Sequence, residues 1–402
     1  MRILLVGAGA VGESIVAIAA RRAFVDALIV TDYDEARATE VVQRVGDARC
    51  VAHSIDARDP EAVAAKAREV RADVVLNACD PRLNVPIFEG AFRVKASYVD
   101  MAMTPSVAHP TDPYRLVGTP LGAEQFARAP DWEAAGLLAL VGMGVEPGMS
   151  DVFARYAADH LFSSIDEVAV RDGANLTVDG YEFAPTFSIW TTIEECLNPP
   201  IVYDKAHGGF FTTEPFSEPE VFEFPEGIGP IECVNVEHEE VILVPRWVDC
   251  QRVTFKYGLG DEFINVLRVL HAVGLDRVEP VRVRDVEVSP RDLVAACLPN
   301  PAHLGDKMHG KTCAGTYVTG IGKDGQPRAT YLYHVVDNAD SMAEFGCQAV
   351  AWQTAINPIV ALELVANGTW SGAGVLGPEA FDAVPFLDLL AEYGSPHGIE
   401  DR

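Results

Sequence analysis

Basic residues are in short supply. The 402-residue chain has 31 Lys and Arg against 59 Asp and Glu, a formal net charge of −28. Binding to a polyphosphate backbone needs clustered Lys and Arg, so nucleic acid and anionic membrane surfaces are not expected partners. A small anionic ligand needs only two or three local cations and stays open. No uninterrupted apolar run reaches membrane-spanning length, so no membrane span is expected. The eight cysteines, at 50, 79, 196, 233, 250, 297, 313 and 347, are scattered without a C-x-x-C pair. They predict free thiols in a reducing cytoplasm rather than a disulfide frame. The histidines show no metal-ligand spacing, and no metal is expected. Arg2 and the run Ala17-Ile18-Ala19-Ala20 imitate an export signal, but three glycines and Glu13 interrupt the apolar stretch. Repeats and low-complexity segments are also missing. What remains is 49% hydrophobic and long enough for two or three domains.

The first residues carry the strongest pattern. Arg2-Ile3-Leu4-Leu5-Val6 is an apolar run of strand length, and Gly7-Ala8-Gly9-Ala10-Val11-Gly12 follows at once. Residues 13–23 then read as a helix. This is G-x-G-x-x-G between a strand and a helix, the context that makes it a dinucleotide fingerprint. Gly7 permits the turn, Gly9 lets backbone approach a pyrophosphate, and Gly12 lets helix and strand pack closely. Ala10 and Val11 open the helix, whose free N–H groups favour phosphate. A second strand, Leu28-Ile29-Val30-Thr31, ends in Asp32. A carboxylate there accepts ribose hydroxyls and repels a 2′-phosphate, which favours NAD. Arg37 further on leaves NADP open.

Strand and helix patterns alternate through residue 150. The predicted strands end at Asp56, Asn77, Asp100 and before Gly142, giving six parallel strands with helical crossovers, a doubly wound Rossmann-type α/β sheet. Ligands bind at the carboxyl ends of such strands. That rule selects Gly7, Gly9, Ala10, Val11, Gly12, Asp32, Asp56, Asn77, Ala78, Met143 and Gly144 as cofactor-binding positions. Residues 104–122 read as a loop.

The pattern changes after Ser150. Strand-like runs at 167–172, 234–244, 252–257, 281–288, 315–321 and 328–335 predict an antiparallel α+β substrate domain over 151–338. Lys323-Asp324-Gly325-Gln326 reads as a hairpin turn. Residues 198–230, rich in Pro, Gly and Phe, read as long loops over a cleft. The segment 339–402 starts with Ser341-Met342-Ala343-Glu344, a capping-box pattern. It predicts one helix to about Val365, bent at Pro358 and packed back on the cofactor domain.

Such an arrangement points to hydride transfer in the crevice between two domains. Asp100 and Glu146, at strand ends, are the candidate general acid/base groups. Arg246, in Val244-Pro245-Arg246-Trp247, reads as a strand-end guanidinium that clamps a substrate carboxylate. Trp190 is the candidate surface for stacking a substrate cation.

These residues resemble the saccharopine dehydrogenase-like oxidoreductases, a family that includes saccharopine reductase, lysine 6-dehydrogenase, carboxynorspermidine dehydrogenase and homospermidine synthase. The resemblance is carried by Gly7 to Gly12, Asp73-Val74-Val75-Leu76-Asn77-Ala78, Tyr98-Val99-Asp100-Met101-Ala102 and Gly142-Met143-Gly144-Val145-Glu146-Pro147-Gly148-Met149. His238-Glu239-Glu240, Leu243-Val244-Pro245-Arg246 and Gly374-Val375-Leu376-Gly377-Pro378-Glu379 extend it. It implies an NAD(P)-dependent enzyme that transfers hydride at a C–N bond of an amino acid or polyamine, and a homodimer. The first expectation is lysine or a lysine adduct such as saccharopine. The alternatives are a polyamine substrate on the same fold, or a silent NAD-binding protein.

Overall fold

Short runs of β-branched and leucine residues build the first sheet, and their order fixes where a ligand can enter. The computed structural model describes residues Met1–Arg402. Strands β1 (Arg2–Val6), β2 (Ala27–Asp32), β3 (Cys50–Ser54), β4 (Val74–Asn77), β5 (Ser97–Asp100) and β6 (Leu138–Leu140) are all parallel neighbours. A seventh strand, Gly374–Leu376, joins beside β6, so the order is Gly374–Leu376, β6, β5, β4, β1, β2, β3. The order reverses between β1 and β4. That switch point opens a crevice at the carboxyl edge. Ile3, Leu4, Leu5, Val74, Val75 and Leu76 are fully buried there, as expected for strands covered by helices on both faces.

Helix α1 spans Ala10–Ala19, with Gly9 as its N-cap. The expected helix at 13–23 therefore starts three residues early, inside the glycine motif. Helices α2 (Glu35–Val45), α3 (Pro60–Val70) and α4 (Asn84–Val94) make the crossovers, and the short helices α5 (Ala123–Ala127) and α6 (Ala129–Ala134) precede β6. Asp34 and Asp59 cap α2 and α3 through their side chains.

Beyond the first sheet, α7 (Met149–Tyr156) leads to a nine-stranded sheet centred on β7 (Phe162–Ala174). It is mixed rather than purely antiparallel as expected: Cys250–Gly258 runs parallel to β7, whereas Lys311–Gly322 is antiparallel to it. The 323–326 turn joins Lys311–Gly322 to Pro327–Asp337 as read from the sequence. Three other readings are corrected. Residues 198–230 are not long loops but contain the strands Ile201–Asp204, Gly209–Thr212 and Glu220–Phe224. The run 234–244 is not one strand: a strand ends at Asn235, and Glu240–Trp247 is helix α9. A buried apolar run of four residues fits strand and helix equally well, and only packing decides. The C-terminal helix is two helices, Asn338–Phe345 capped by Asp337 and Ala349–Ala366 capped by Gln348, separated by left-handed Gly346. Ser341 lies inside the first of these and is not a cap.

Helix Ala349–Ala366 is long and apolar enough to cross a membrane, but 78% of it is buried within the protein. It packs on α1, where Arg22 forks onto Glu363 at 2.9 and 3.0 Å. The C-terminal segment thus returns to the first sheet by both a helix and a strand. All eight cysteines are free.

Candidate functional site

The glycine turn is shaped by close approach. Gly7 has φ +105°, and a Cβ there would lie 2.6 Å from the Ala78 carbonyl oxygen. A Cβ on Gly12 would sit 2.1 Å from the Gly7 carbonyl oxygen. Only hydrogen fits at either position. Gly9 is different: nothing lies within 4 Å of its would-be Cβ. That open space, above the first N–H groups of α1, fits a pyrophosphate.

A cavity of about 870 Å³ runs from this turn to the second sheet. Gly9, Ala10 and Val11 line one end, with Tyr33 and Arg37; Asn77 and Ala78 line its middle. Gly7, Gly12 and Asp32 shape the turn without lining it. Asp32 is 6% exposed, and its carboxylate accepts the Ala8 and Asp34 N–H groups, both at 3.0 Å. Arg37 lies 3.6 Å from Asp32. Asn77 is set by its neighbours: its amide donates to Asn84 (2.7 Å) and Tyr98 (3.1 Å), and its Oδ1 accepts the Cys79 N–H.

Several expected positions fall elsewhere. Asp56 does not reach the cavity; Arg58 forks onto it at the surface and holds its carboxyl down at about 2. Met143 is fully buried, and its N–H donates to the Asp100 carbonyl at 2.7 Å. Gly144 packs on Met101 and Pro147. Both shape the turn after β6, and the cavity is lined instead by the next residues, Val145, Glu146 and Pro147. Arg246 is in the last turn of α9 rather than at a strand end. Its guanidinium lies 3.7 Å over Phe126, away from the cavity lining, because the strand expected at 234–244 is a helix. Trp190, on α8 (Ile189–Leu197), does line the cavity. The cations over its ring are the protein's own Arg82 (3.2 Å) and Arg291 (4.4 Å), and its N–H donates to Asp292 at 2.8 Å. Cys79 is no nucleophile, since burial pushes its thiol up to about 12.

The two carboxyl groups singled out from sequence both line the cavity, in different states. Asp100 is 1% exposed, and both its oxygens are occupied, by the Gly142 N–H (2.7 Å) and the Gln125 amide (2.6 Å). Burial pushes it up to about 7. It organises the turn that carries Glu146. Glu146 has no hydrogen-bond donor on either oxygen. Burial, and then the Asp172 carboxyl beside it, raise its pKa well above the usual carboxylate range.

Sequence reading missed the groups that face Glu146. Asp172 and Tyr257 sit opposite each other on paired strands. Glu195 comes from α8, and burial pushes it up to about 8. His238, just before α9, stacks on Phe255 at 3.8 Å and bonds Glu240 at 2.6 Å through Nδ1. Burial would strip its proton, but Glu240 and Glu239 hold it on, with a pKa of about 10. The segment His238-Glu239-Glu240 was visible as a motif but carried no assigned role. Its three ligand atoms lie within 4.8 Å of one another, and the imidazolium already bonds Glu240 and pairs with Glu239 at 3.5 Å. A side chamber of about 30 Å³ adjoins, sharing Glu195 with the main cavity and adding Glu194, Glu237 and Glu239. Glu237 accepts from Ser106 (2.8 Å) and Asn198 (3.0 Å).

This geometry has relatives. The family model described as "Saccharopine dehydrogenase NADP binding domain" matches residues 3–140, and "Saccharopine dehydrogenase C-terminal domain" matches residues 144–395. The chain belongs to the saccharopine dehydrogenase family. A carboxyaminopropylagmatine dehydrogenase of Synechocystis sp. is 30% identical over 398 residues, covering 98% of this chain and 96% of that protein. A carboxynorspermidine synthase of Vibrio cholerae is 28% identical over 404 residues, covering 98% and 95%. The saccharopine dehydrogenase (L-Glu forming) of Saccharomyces cerevisiae has the same fold, with a TM-score of 0.70 at 14% identity over 100% of this chain and 99% of that one. As a member of this family, the protein is an NAD(P)-dependent oxidoreductase, and Gly9 to Val11 with Asn77 and Ala78 line the cavity beside the glycine turn.

Arg37 beside Asp32 refines the expected NAD preference. Asp32→Ala is expected to weaken NADH binding roughly 10- to 100-fold, the loss of a charged hydrogen-bond acceptor. Arg37→Ala is expected to weaken NADPH and spare NADH. Fluorescence titration of both nucleotides checks this; equal losses for both in either variant contradict it.

Proposed function

We propose that this enzyme reduces the C=N bond formed between a polyamine-type amine and a carboxylate-bearing aldehyde, giving a carboxylated secondary amine. The observation that carries the reading is the acidic lining of the substrate end, where an incoming ammonium favours the charged form of the buried carboxyls. Asp172 and Glu195 line it beside the proton-bearing Glu146, and the side chamber adds Glu237; Glu194 and Glu239 there are already paired with Arg291 and His238. Such a surface suits ammonium groups spaced along a chain. A lysine adduct such as saccharopine carries several carboxylates and needs matching cations. Arg246, the expected clamp, is turned to Phe126, and Arg82 is forked onto Asp80 at 2.7 and 3.0 Å. The names of the Synechocystis and Vibrio relatives point the same way. The polyamine alternative therefore replaces lysine as the leading reading.

Gly9, Ala10, Val11, Asn77 and Ala78 would hold NAD(P)H, which when bound would supply the hydride for the carbon of the C=N bond. Glu146 holds the proton that goes to the nitrogen, at an atom no protein donor occupies. Asp172 keeps that proton on Glu146 by adding negative charge beside it. The buried acidic groups hold the remote ammonium.

The test is NADPH oxidation by purified enzyme with three reactant pairs: diamines plus aspartate semialdehyde, lysine plus 2-oxoglutarate, and allysine plus glutamate. Turnover confined to the diamine arm is expected. Turnover confined to a lysine-derived arm, or none despite tight NADPH binding, would sink the reading.

A further inference from the structure

The floor of the substrate end is a row of aligned side chains. Tyr257 pairs with Asp172, Asp172 with Ala314, and Ala314 with His334. Directly paired residues on neighbouring strands point to the same face. The row thus runs from the acidic groups to a buried histidine, with only the Ala314 methyl between.

Gln353, from helix Ala349–Ala366, meets the row at His334. It is 2% exposed yet lines the cavity. Its amide nitrogen donates to His334 Nδ1 at 3.1 Å and to the His334 carbonyl at 2.9 Å. Both amide hydrogens are therefore committed. His334 Nε2 lies 2.5 Å from Ser395 Oγ. With Nδ1 accepting, Nε2 carries the proton and donates to Ser395. Burial keeps the imidazole neutral, its pKa pushed down to about 4. A flipped Gln353 amide would set its oxygen against the His334 carbonyl, which can only accept, so that carbonyl fixes the amide with its nitrogen inward and the imidazole Nδ1 takes the second hydrogen. The protein supplies no donor to Gln353 Oε1. An uncommitted acceptor, nine-tenths buried and oriented by a second shell of hydrogen bonds, is an arrangement that suits a ligand N–H.

We propose that Gln353 Oε1 accepts a hydrogen bond from an N–H of the amine substrate, and that His334 and Ser395 are positioning residues for it. The inference rests on the amine reading above. The row it joins belongs to the second sheet, beside Asp172, whereas the dinucleotide turn lies on the first sheet. That placement assigns Gln353 to the amine rather than to the cofactor.

The test compares wild type, Gln353→Leu and His334→Asn, using 1,3-diaminopropane binding to the NADP-loaded enzyme by calorimetry, steady-state kinetics, and NADPH titration. Gln353→Leu is expected to raise the diamine Kd and KM roughly 10- to 100-fold, the range for a lost buried hydrogen bond. The kcat should change less than about 3-fold, a pattern of lost uniform binding. NADPH affinity should stay unchanged. His334→Asn removes the imidazole acceptor, leaves only the backbone carbonyl to hold the amide, and should raise the diamine Kd in the same direction by a smaller factor of at least about 3-fold, even if Gln353→Leu proves too unstable to purify. Diamine affinity within twofold of wild type in both variants overturns the inference. A parallel fall in NADPH affinity also overturns it, because Gln353 then serves the cofactor. No diamine binding to wild type overturns the amine reading itself, and this inference with it.

Discussion

Replacing Glu146 by Gln is expected to lower kcat for amine formation roughly 10²- to 10⁴-fold, the range for loss of a positioned general acid. NADPH affinity should hold, since Glu146 is remote from the glycine turn. The glutamine matches the carboxyl group in shape and removes a charge site from a crowded acidic cluster, so the fold should not suffer. The pH profile carries the sharper signature. Burial and Asp172 raise the folded pKa of Glu146 well above its usual value, which favours the protonated form that is competent as an acid. Wild-type kcat should be flat at low pH and fall as pH rises through that elevated pKa. Glu146→Gln should abolish this limb. A variant that keeps its rate within about 3-fold, or keeps the same limb, assigns the proton to another group.

His238→Ala is expected to be the most destabilising single change at the site, by about 3–5 kcal/mol, the cost of stranding buried charge. The imidazolium neutralises Glu240 at 2.6 Å and Glu239 at 3.5 Å, and those carboxylates tie distant segments together. Glu239 accepts the Met103 N–H at 3.0 Å, just beyond β5, and Glu240 accepts the Ser150 hydroxyl at 2.8 Å, at the start of α7. The histidine thus holds the second domain's α9 against the carboxyl edge of the first sheet. The sign of the pH effect follows. Its folded pKa of about 10 exceeds the unfolded value near 6.5, so this stabilisation is full below about pH 6.5 and is lost as pH rises toward 10. Urea titrations of wild type and variant at pH 6 and pH 10 check both points. The gap between them should be wide at pH 6 and narrow at pH 10. A gap below about 1 kcal/mol at pH 6 contradicts the bridging role.

The cofactor half of the site was readable because it is local. Strand, turn, helix and acidic strand end lie within the first 32 residues, and each glycine has its own steric reason. The same logic found Asn77, Asp100 and Glu146, because strand ends of a parallel sheet share one edge. It overreached at Asp56 and Met143, since a position at that edge does not say which way a side chain turns or what pairs with it. The substrate half was not readable because its geometry is non-local. Asp172, Tyr257, His334 and Gln353 come from four segments, and only strand register and a returning helix bring them together. Arg246 failed for one identifiable reason: Val241-Ile242-Leu243-Val244 is equally apolar as strand or helix, and burial on all sides selected the helix that turned Arg246 away.

If the enzyme is an imine reductase as proposed, hydride goes to a carbon bonded to nitrogen. The most direct measurement is turnover with NADPH deuterated on the transferable C4 position, using 1,3-diaminopropane and aspartate semialdehyde, followed by mass spectrometry and NMR of the product. The expected result is one deuterium on the carbon joined to the new secondary amine. Deuterium found only on an alcohol carbon, or an unlabelled secondary amine, would contradict the account.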